Sequence, residues 1–178
     1  DKYTLRDVIA RKIPANIAFI IDSSGSMYGK PLKEAVDFIE RFASKNLRNN
    51  RSIAIYTNPD GLVGKPTNDI GELRSNLNNL TPIGYSTLHT ELRRAKDHLK
   101  GRGGIYIIIT DGHTHFSPEI KKYCEKIHRS GGKLFVVAVG DDCYMEQLEK
   151  FVASPKNILK ANSELNFSQH LINLIKHL

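Results

Sequence analysis

Cysteine is scarce, long apolar runs are missing and the basic stretches are not those of a stacking platform; each shortage removes a class of protein. Two cysteines in 178 residues, Cys124 and Cys143, cannot make a disulfide framework. Cys124 and His128 would share a helical face, yet no Cys-x₂-Cys accompanies them, so free thiols buried as small apolar groups are expected in place of a zinc site. The longest apolar runs, Ile17–Ile21, Ile105–Ile109 and Leu134–Val139, fall far short of the roughly 20 residues a membrane-spanning helix needs. Asp1–Lys12 is polar and charged, unlike a secretory leader. The sparse cysteine suits an intracellular protein.

Acidic residues are in the minority, 19 against 26 Lys and Arg, for a net charge of +7. Such a balance leaves room for an acidic partner: nucleic acid, an anionic membrane or an acidic protein face. The basic stretches Arg41–Arg51, Arg93–Arg102 and Lys121–Lys133 are mixed with Glu and Asp rather than interleaved with the aromatics that single strands stack on. A solvated basic surface is therefore expected.

What is present is the material of one domain spanning 1–178, with 1–15 as a lead-in segment. The 40% hydrophobic and 25% charged content is that of a globular chain, and the length suffices for a three-layer core. Asn16–Ile21 reads as a strand. Leu32–Lys45 carries apolar residues at Leu32, Ala35, Val36, Ile39, Phe42 and Ala43, the spacing of a helix face. Ser52–Tyr56 is a strand, and Asn58-Pro59-Asp60-Gly61 turns it into a brief extension at Leu62–Val63, an antiparallel hairpin at a sheet edge. Asp69 is placed to cap a helix running to about Asn79, and Thr87–Lys100 is a second helical stretch. Ile105–Thr110 and Lys133–Val139 are almost wholly apolar, as strands buried on both faces of a parallel sheet must be. Ser117-Pro118 opens a helix between them that Gly131-Gly132 closes. Tyr144–Ala153 reads as a short helix, Asn157–Leu159 as a short strand and Glu164–Leu178 as a last helix. This alternation defines an α/β fold: a doubly wound, mostly parallel six-stranded sheet with one antiparallel edge strand and helices on both faces.

Ligands of such sheets bind beyond the carboxyl ends of the strands, where the winding reverses. The most unusual polar residues of the chain fall there. Ile17–Ile21 runs into Asp22-Ser23-Ser24-Gly25-Ser26, which sets a carboxylate and two alternate hydroxyls on one loop, with Gly25 allowing a tight turn. Ile107-Ile108-Ile109-Thr110-Asp111-Gly112 repeats a strand that ends in Asp-Gly. Gly84-Tyr85-Ser86-Thr87 offers further hydroxyls just ahead of a helix. Two carboxylates and several hydroxyls, without His or Cys, suit a hard cation; Mg²⁺ fits best, Mn²⁺ can substitute, and Ca²⁺ usually wants more carboxylate and carbonyl donors. So few protein ligands leave a coordination position open to an oxygen from a partner.

Asp22-x-Ser24-x-Ser26 after an apolar strand, a Gly-x-Ser/Thr segment about sixty residues on, and Thr110-Asp111-Gly112 after another strand together resemble the metal-ion-dependent adhesion site of von Willebrand factor type A domains. The resemblance covers nearly the whole chain, including Val139-Gly140-Asp141-Asp142. It implies a Rossmann-like fold, no catalysis, and a protein partner that donates an Asp or Glu carboxylate to the bound ion, as in cell adhesion. It also implies direct metal contact by Ser24 and Ser26, and direct or water-mediated contact by Asp22 and Asp111. In the third segment this sequence departs from the family's Gly-Gly-Thr: Ser86 takes the threonine position, Tyr85 replaces a glycine, and Thr87 is the alternative ligand.

Other motifs fall short. Gly25–Pro31 has three residues between its glycines and Pro31 where a phosphate-binding loop needs Ser or Thr. Gly84–Leu88 lacks the second glycine of a nucleophile elbow. His113 and His115 have no third zinc ligand nearby; they either face solvent or line the rim of the site, where they would tune ligand choice or make it pH-dependent. Two rival readings are an ATPase-linked subunit similar to those of magnesium chelatase, suggested by the Ala10–Ala15 lead-in and the Ser86 replacement, and a basic nucleic-acid-binding module.

Overall fold

Alternate residues of the central strand leave it in opposite directions, and this alternation builds the molecule. The computed structural model describes residues 17–46, 52–57, 61–81, 88–99, 104–114 and 116–161. Strand β1 (Ile17–Ile21) is buried along its whole length. Ile17, Phe19 and Ile21 face one apolar cluster, with β4 (Ile105–Thr110) contributing Ile105, Ile107 and Ile109 and β5 (Lys133–Ala138) Phe135 and Val137. Ala18 and Ile20 face a second cluster with Tyr106, Ile108, Leu134 and Val136. Both faces being apolar, the period-2 pattern gives an unbroken hydrophobic run instead of polar alternation.

The six-stranded sheet has the order β3-β2-β1-β4-β5-β6. Strands β1, β2 (Ile53–Thr57), β4, β5 and β6 (Ile158–Lys160) run parallel. Strand β3 (Gly61–Thr67) lies antiparallel on β2 at the edge. It is longer than the two-residue extension read from the sequence. Pro66 falls within it, which an edge strand tolerates because it needs no amide donor on its outer side.

Helix α1 (Lys30–Asn46) places Ala35, Phe38, Ile39, Phe42 and Ala43 on the first cluster, beside Leu73 and Leu77 of α2 (Ile70–Asn78). Phe19 meets Phe42 edge-on at 5.5 Å and Phe38 at 6.3 Å between ring centroids. Helices α3 (His89–His98) and α4 (Pro118–Arg129) cover the other face with Leu92, Ala95, Ile120, Cys124 and Ile127, joined by Leu148 of α5 (Met145–Glu149). The expected caps are in place: the Asp69 carboxylate accepts from the Glu72 amide and the Ser117 hydroxyl from the Ile120 amide. The helix read over 144–153 is only five residues of α-helix, because Ser154-Pro155 turns the chain into β6. The last helix read at Glu164–Leu178, the lead-in 1–15 and the 58–60 turn lie outside the described residues. No helix of the described residues is long and apolar enough to cross a membrane.

Both cysteines are free, as expected, but only Cys124 is fully buried. Burial pushes its thiol up to about 12. Cys143 is half-buried; partial desolvation, then the negative charge of Asp111, raises its thiol, which donates to the Val139 carbonyl at 2.9 Å. Native protein titrated with a thiol-specific disulfide reagent at pH 8 should therefore react slowly at Cys143 alone, with Cys124 modified only in denaturant. Phe19→Ala should lower stability by about 3–5 kcal/mol, read by urea denaturation, because it empties the junction of β1 with α1.

Candidate metal centre

The winding of the sheet reverses between β1 and β4, which are neighbours although far apart in sequence. One amide bond past β1, Asp22 continues the pairing: its N–H donates to the Ile109 carbonyl at 2.9 Å. Asp111 follows β4 directly. The two carboxylates thus stand at adjacent strand ends, Asp22 fully buried and Asp111 only 3% exposed.

Burying a carboxylate is costly unless donors or cations surround it. Asp22 is surrounded by donors: Oδ1 accepts the Ser24 amide at 2.8 Å, and Oδ2 accepts the hydroxyls of Thr110 and Thr114, each at 2.6 Å. Asp111 Oδ1 accepts the His113 amide at 3.0 Å. Among the described residues no Lys or Arg forms an ion pair with either carboxylate. Ser24 and Ser26 follow on the loop, their hydroxyl oxygens 3.1 Å apart.

The tight turn expected at Gly25 takes a different form. Gly25 opens a 3₁₀ turn over Gly25–Met27, a conformation open to any residue, and Met27, buried beneath it, pins the loop to the core. The left-handed glycine that matters most is Gly112, at φ +81°; a Cβ there would also stand 2.9 Å from the Tyr144 carbonyl oxygen. Its amide donates to the Thr110 hydroxyl at 3.1 Å, so Thr110 relays between the backbone turn and Asp22. Gly140, at φ +83°, donates its amide to Glu34 Oε2 at 2.8 Å, tying the loop after β5 to α1.

A cleft of about 220 Å³ opens over this arrangement, lined by Ser26, Lys30, Asp111, His113, Asp141 and Asp142 among others. Asp111 and Ser26 reach it; Asp22 lies behind them. The His113 ring packs edge-on to Tyr144 at 4.4 Å between centroids, its Nε2 3.0 Å from the Asp142 carbonyl, so it forms part of the rim wall. Of the residues singled out from the sequence, the structure brings Asp22, Ser24, Ser26 and Asp111 together. Ser86, Thr87 and His115 lie outside the described residues. Leu88, the first described residue after the third segment, is fully buried in a left-handed conformation, φ 39°, which a bulky residue adopts only under constraint.

The sequence reading passed over Thr114, although its hydroxyl is as close to Asp22 as that of Thr110. Nothing in the local spacing marks it; a threonine between two histidines gives no sign of a partner 92 positions away. The basic stretch of α4 also needs correcting. Tyr123 does stand within it, but Lys126 Nζ and Lys122 Nζ lie 5.1 and 6.0 Å from its ring centroid. The ring is occupied by the protein's own cations.

The donor set fits a hard divalent ion: hydroxyl and carboxylate oxygens only, open to a cleft on one side. Among the described residues no group of three or more His, Cys, Asp and Glu could hold a metal, so an ion here would depend on the serine hydroxyls and on water.

A doubly wound sheet with an oxygen-lined cleft at its switch point is a ligand-binding architecture shared by several families. The sequence profile of the von Willebrand factor type A domain matches residues 16–174, and the chain belongs to that family. Solved structures share the fold at low identity. A conserved hypothetical protein, BatB, from Bacteroides thetaiotaomicron is 15% identical, with a TM-score of 0.73 over 91% of this chain and 99% of that one. The proximal thread matrix protein 1 of the mussel byssus, described with a zinc-occupied MIDAS motif, is 17% identical with a TM-score of 0.64, over 93% of this chain and 47% of that one. Manganese-loaded TRAP protein of Plasmodium vivax is 14% identical with a TM-score of 0.72, over 98% and 75%. Comparison with curated proteins gives no match.

Thr110→Val removes a hydrogen bond from a buried carboxylate without changing side-chain volume much. It should cost about 1–3 kcal/mol in urea denaturation and weaken binding of Mn²⁺ in calorimetry.

Proposed function

We propose that this domain recognises a partner protein through a divalent cation. Ser24, Ser26 and Asp111 would hold the ion. Asp22, its oxygens already engaged by the Ser24 amide and two threonine hydroxyls, would orient Ser24 and reach the ion through water. Ser86 would add a third hydroxyl, with Thr87 as the alternative. The ion would be Mg²⁺, with Mn²⁺ able to replace it. An Asp or Glu of the partner would complete its coordination shell.

One observation carries this reading. Two buried carboxylates stand at neighbouring strand ends, with a pair of close hydroxyls beside them and no basic side chain ion-paired to either among the described residues. A cation supplies the charge that such a pair otherwise lacks, and the mainly neutral hydroxyl donors leave it electrophilic toward an incoming carboxylate. Members of the family are in general interaction modules rather than enzymes, and two structures with the same fold are described as loaded with zinc and manganese.

Calorimetric titration of Mg²⁺ and Mn²⁺ into metal-free protein should give one saturable site. Asp22→Ala should abolish it while the far-ultraviolet circular dichroism stays native. Retained metal affinity in that variant would sink the assignment. Partner capture should reverse with chelator; capture that survives chelation would place recognition elsewhere on the domain.

A further inference from the structure

Lys30 is a basic side chain lining the cleft. It opens α1, and its Nζ donates to both carboxylate oxygens of Asp141, at 2.8 and 3.0 Å. Glu34 lies one helical turn on, 4.0 Å from the same Nζ. The pair bridges the first turn of α1 and the loop after β5, which both frame the candidate metal centre. Both residues line the same 220 Å³ cleft as Ser26 and Asp111.

This is an unusual place for an exposed ion pair. Lys30 and Asp141 keep 60% and 67% of their side-chain surface in solvent, and pairs so exposed contribute little to folding. The fold does not need this one to hold the loops together, because the Gly140 amide already bonds to Glu34 Oε2 on α1. What the pair does is keep an ammonium at the mouth of the site, covered by an anion that belongs to the protein. An ammonium neutralised by a solvent-exposed carboxylate is open to exchange for another carboxylate of better geometry.

We infer that the site takes a doubly acidic ligand: one carboxylate for the metal ion and a second, close by on the same partner segment, for Lys30, displacing Asp141. This rests on the metal-dependent reading above. Asp141 then acts as an internal competitor. It admits ligands that present two acidic groups together and gives no advantage to those with one. Lys30 and Asp141 are thereby specificity-determining residues with opposite signs, although they form a single ion pair.

Opposite signs give the test. Two short capped peptides, one with a single Asp among neutral residues and one with two adjacent Asp, are titrated into the protein at saturating Mn²⁺, against wild type, Lys30→Gln and Asp141→Asn. Both variants are at the surface, and Mn²⁺ binding by each verifies that the site is intact. The two-Asp peptide should bind wild type more tightly than the one-Asp peptide. Lys30→Gln should erase that preference, up to about fivefold, and Asp141→Asn should enlarge it, while affinity for the one-Asp peptide stays nearly constant. Equal losses in both variants, or no change in either, would make the pair a strut between loops and overturn the inference with the metal-dependent reading intact. Failure of wild type with Mn²⁺ bound to take up either peptide would instead overturn the carboxylate-binding reading and this inference with it.

Discussion

Asp22 is a buried carboxylate at the end of the central strand, and much of the surrounding structure answers its need for donors. Removed from water, it requires several hydrogen bonds at once. They come from three stretches of chain: the loop that follows it, the end of β4, and the turn beyond Gly112. Each donor must be brought in by a separate piece of architecture. The Ser24 amide needs the 3₁₀ turn that Met27 anchors. The Thr110 hydroxyl needs β1 and β4 to be neighbours in register. The Thr114 hydroxyl needs the left-handed turn at Gly112, which in turn packs against the backbone at Tyr144. The topological switch between β1 and β4 is thus what lets a single carboxylate organise three loops.

The same constraint accounts for the polarity of the cleft. Asp22 keeps its charge behind neutral donors, while Asp111 and Ser26 reach the cleft itself. The rim adds Lys30, Asp141 and Asp142. Among the described residues the cleft is therefore small, oxygen-lined and mixed in charge at its edge. The two apolar clusters on either side of the sheet pack the strands whose ends carry these donors.

Much of the fold could be read from residue pattern alone, because its signals are local. Unbroken β-branched runs mark strands covered on both faces, helical spacing marks α1, and Asp69 and Ser117 cap helices by bonding to amides three residues away. Strand β3 was underestimated because Gly61–Thr67 has two glycines, a proline and little apolar patterning, and only its pairing on β2 at the sheet edge makes it a strand. The helix near Tyr144 came out shorter for a related reason, since the chain must turn at Ser154-Pro155 to add β6. In the site, Asp22, Ser24, Ser26 and Asp111 were legible because each follows an apolar strand in a recognisable order.

The sequence by itself determined which residue types reach the carboxyl ends of the strands, since strand, turn and helix starts are short-range properties of the chain. Tertiary structure alone decided their roles. Which carboxylate is sealed and which faces the cleft follows from strand order and from hydroxyls as distant in sequence as Thr114. The meeting of Lys30 with Asp141, 111 positions apart, follows from the crossover that sets the loop after β5 beside α1. Contacts of this kind depend on packing between elements, and no local periodicity encodes them.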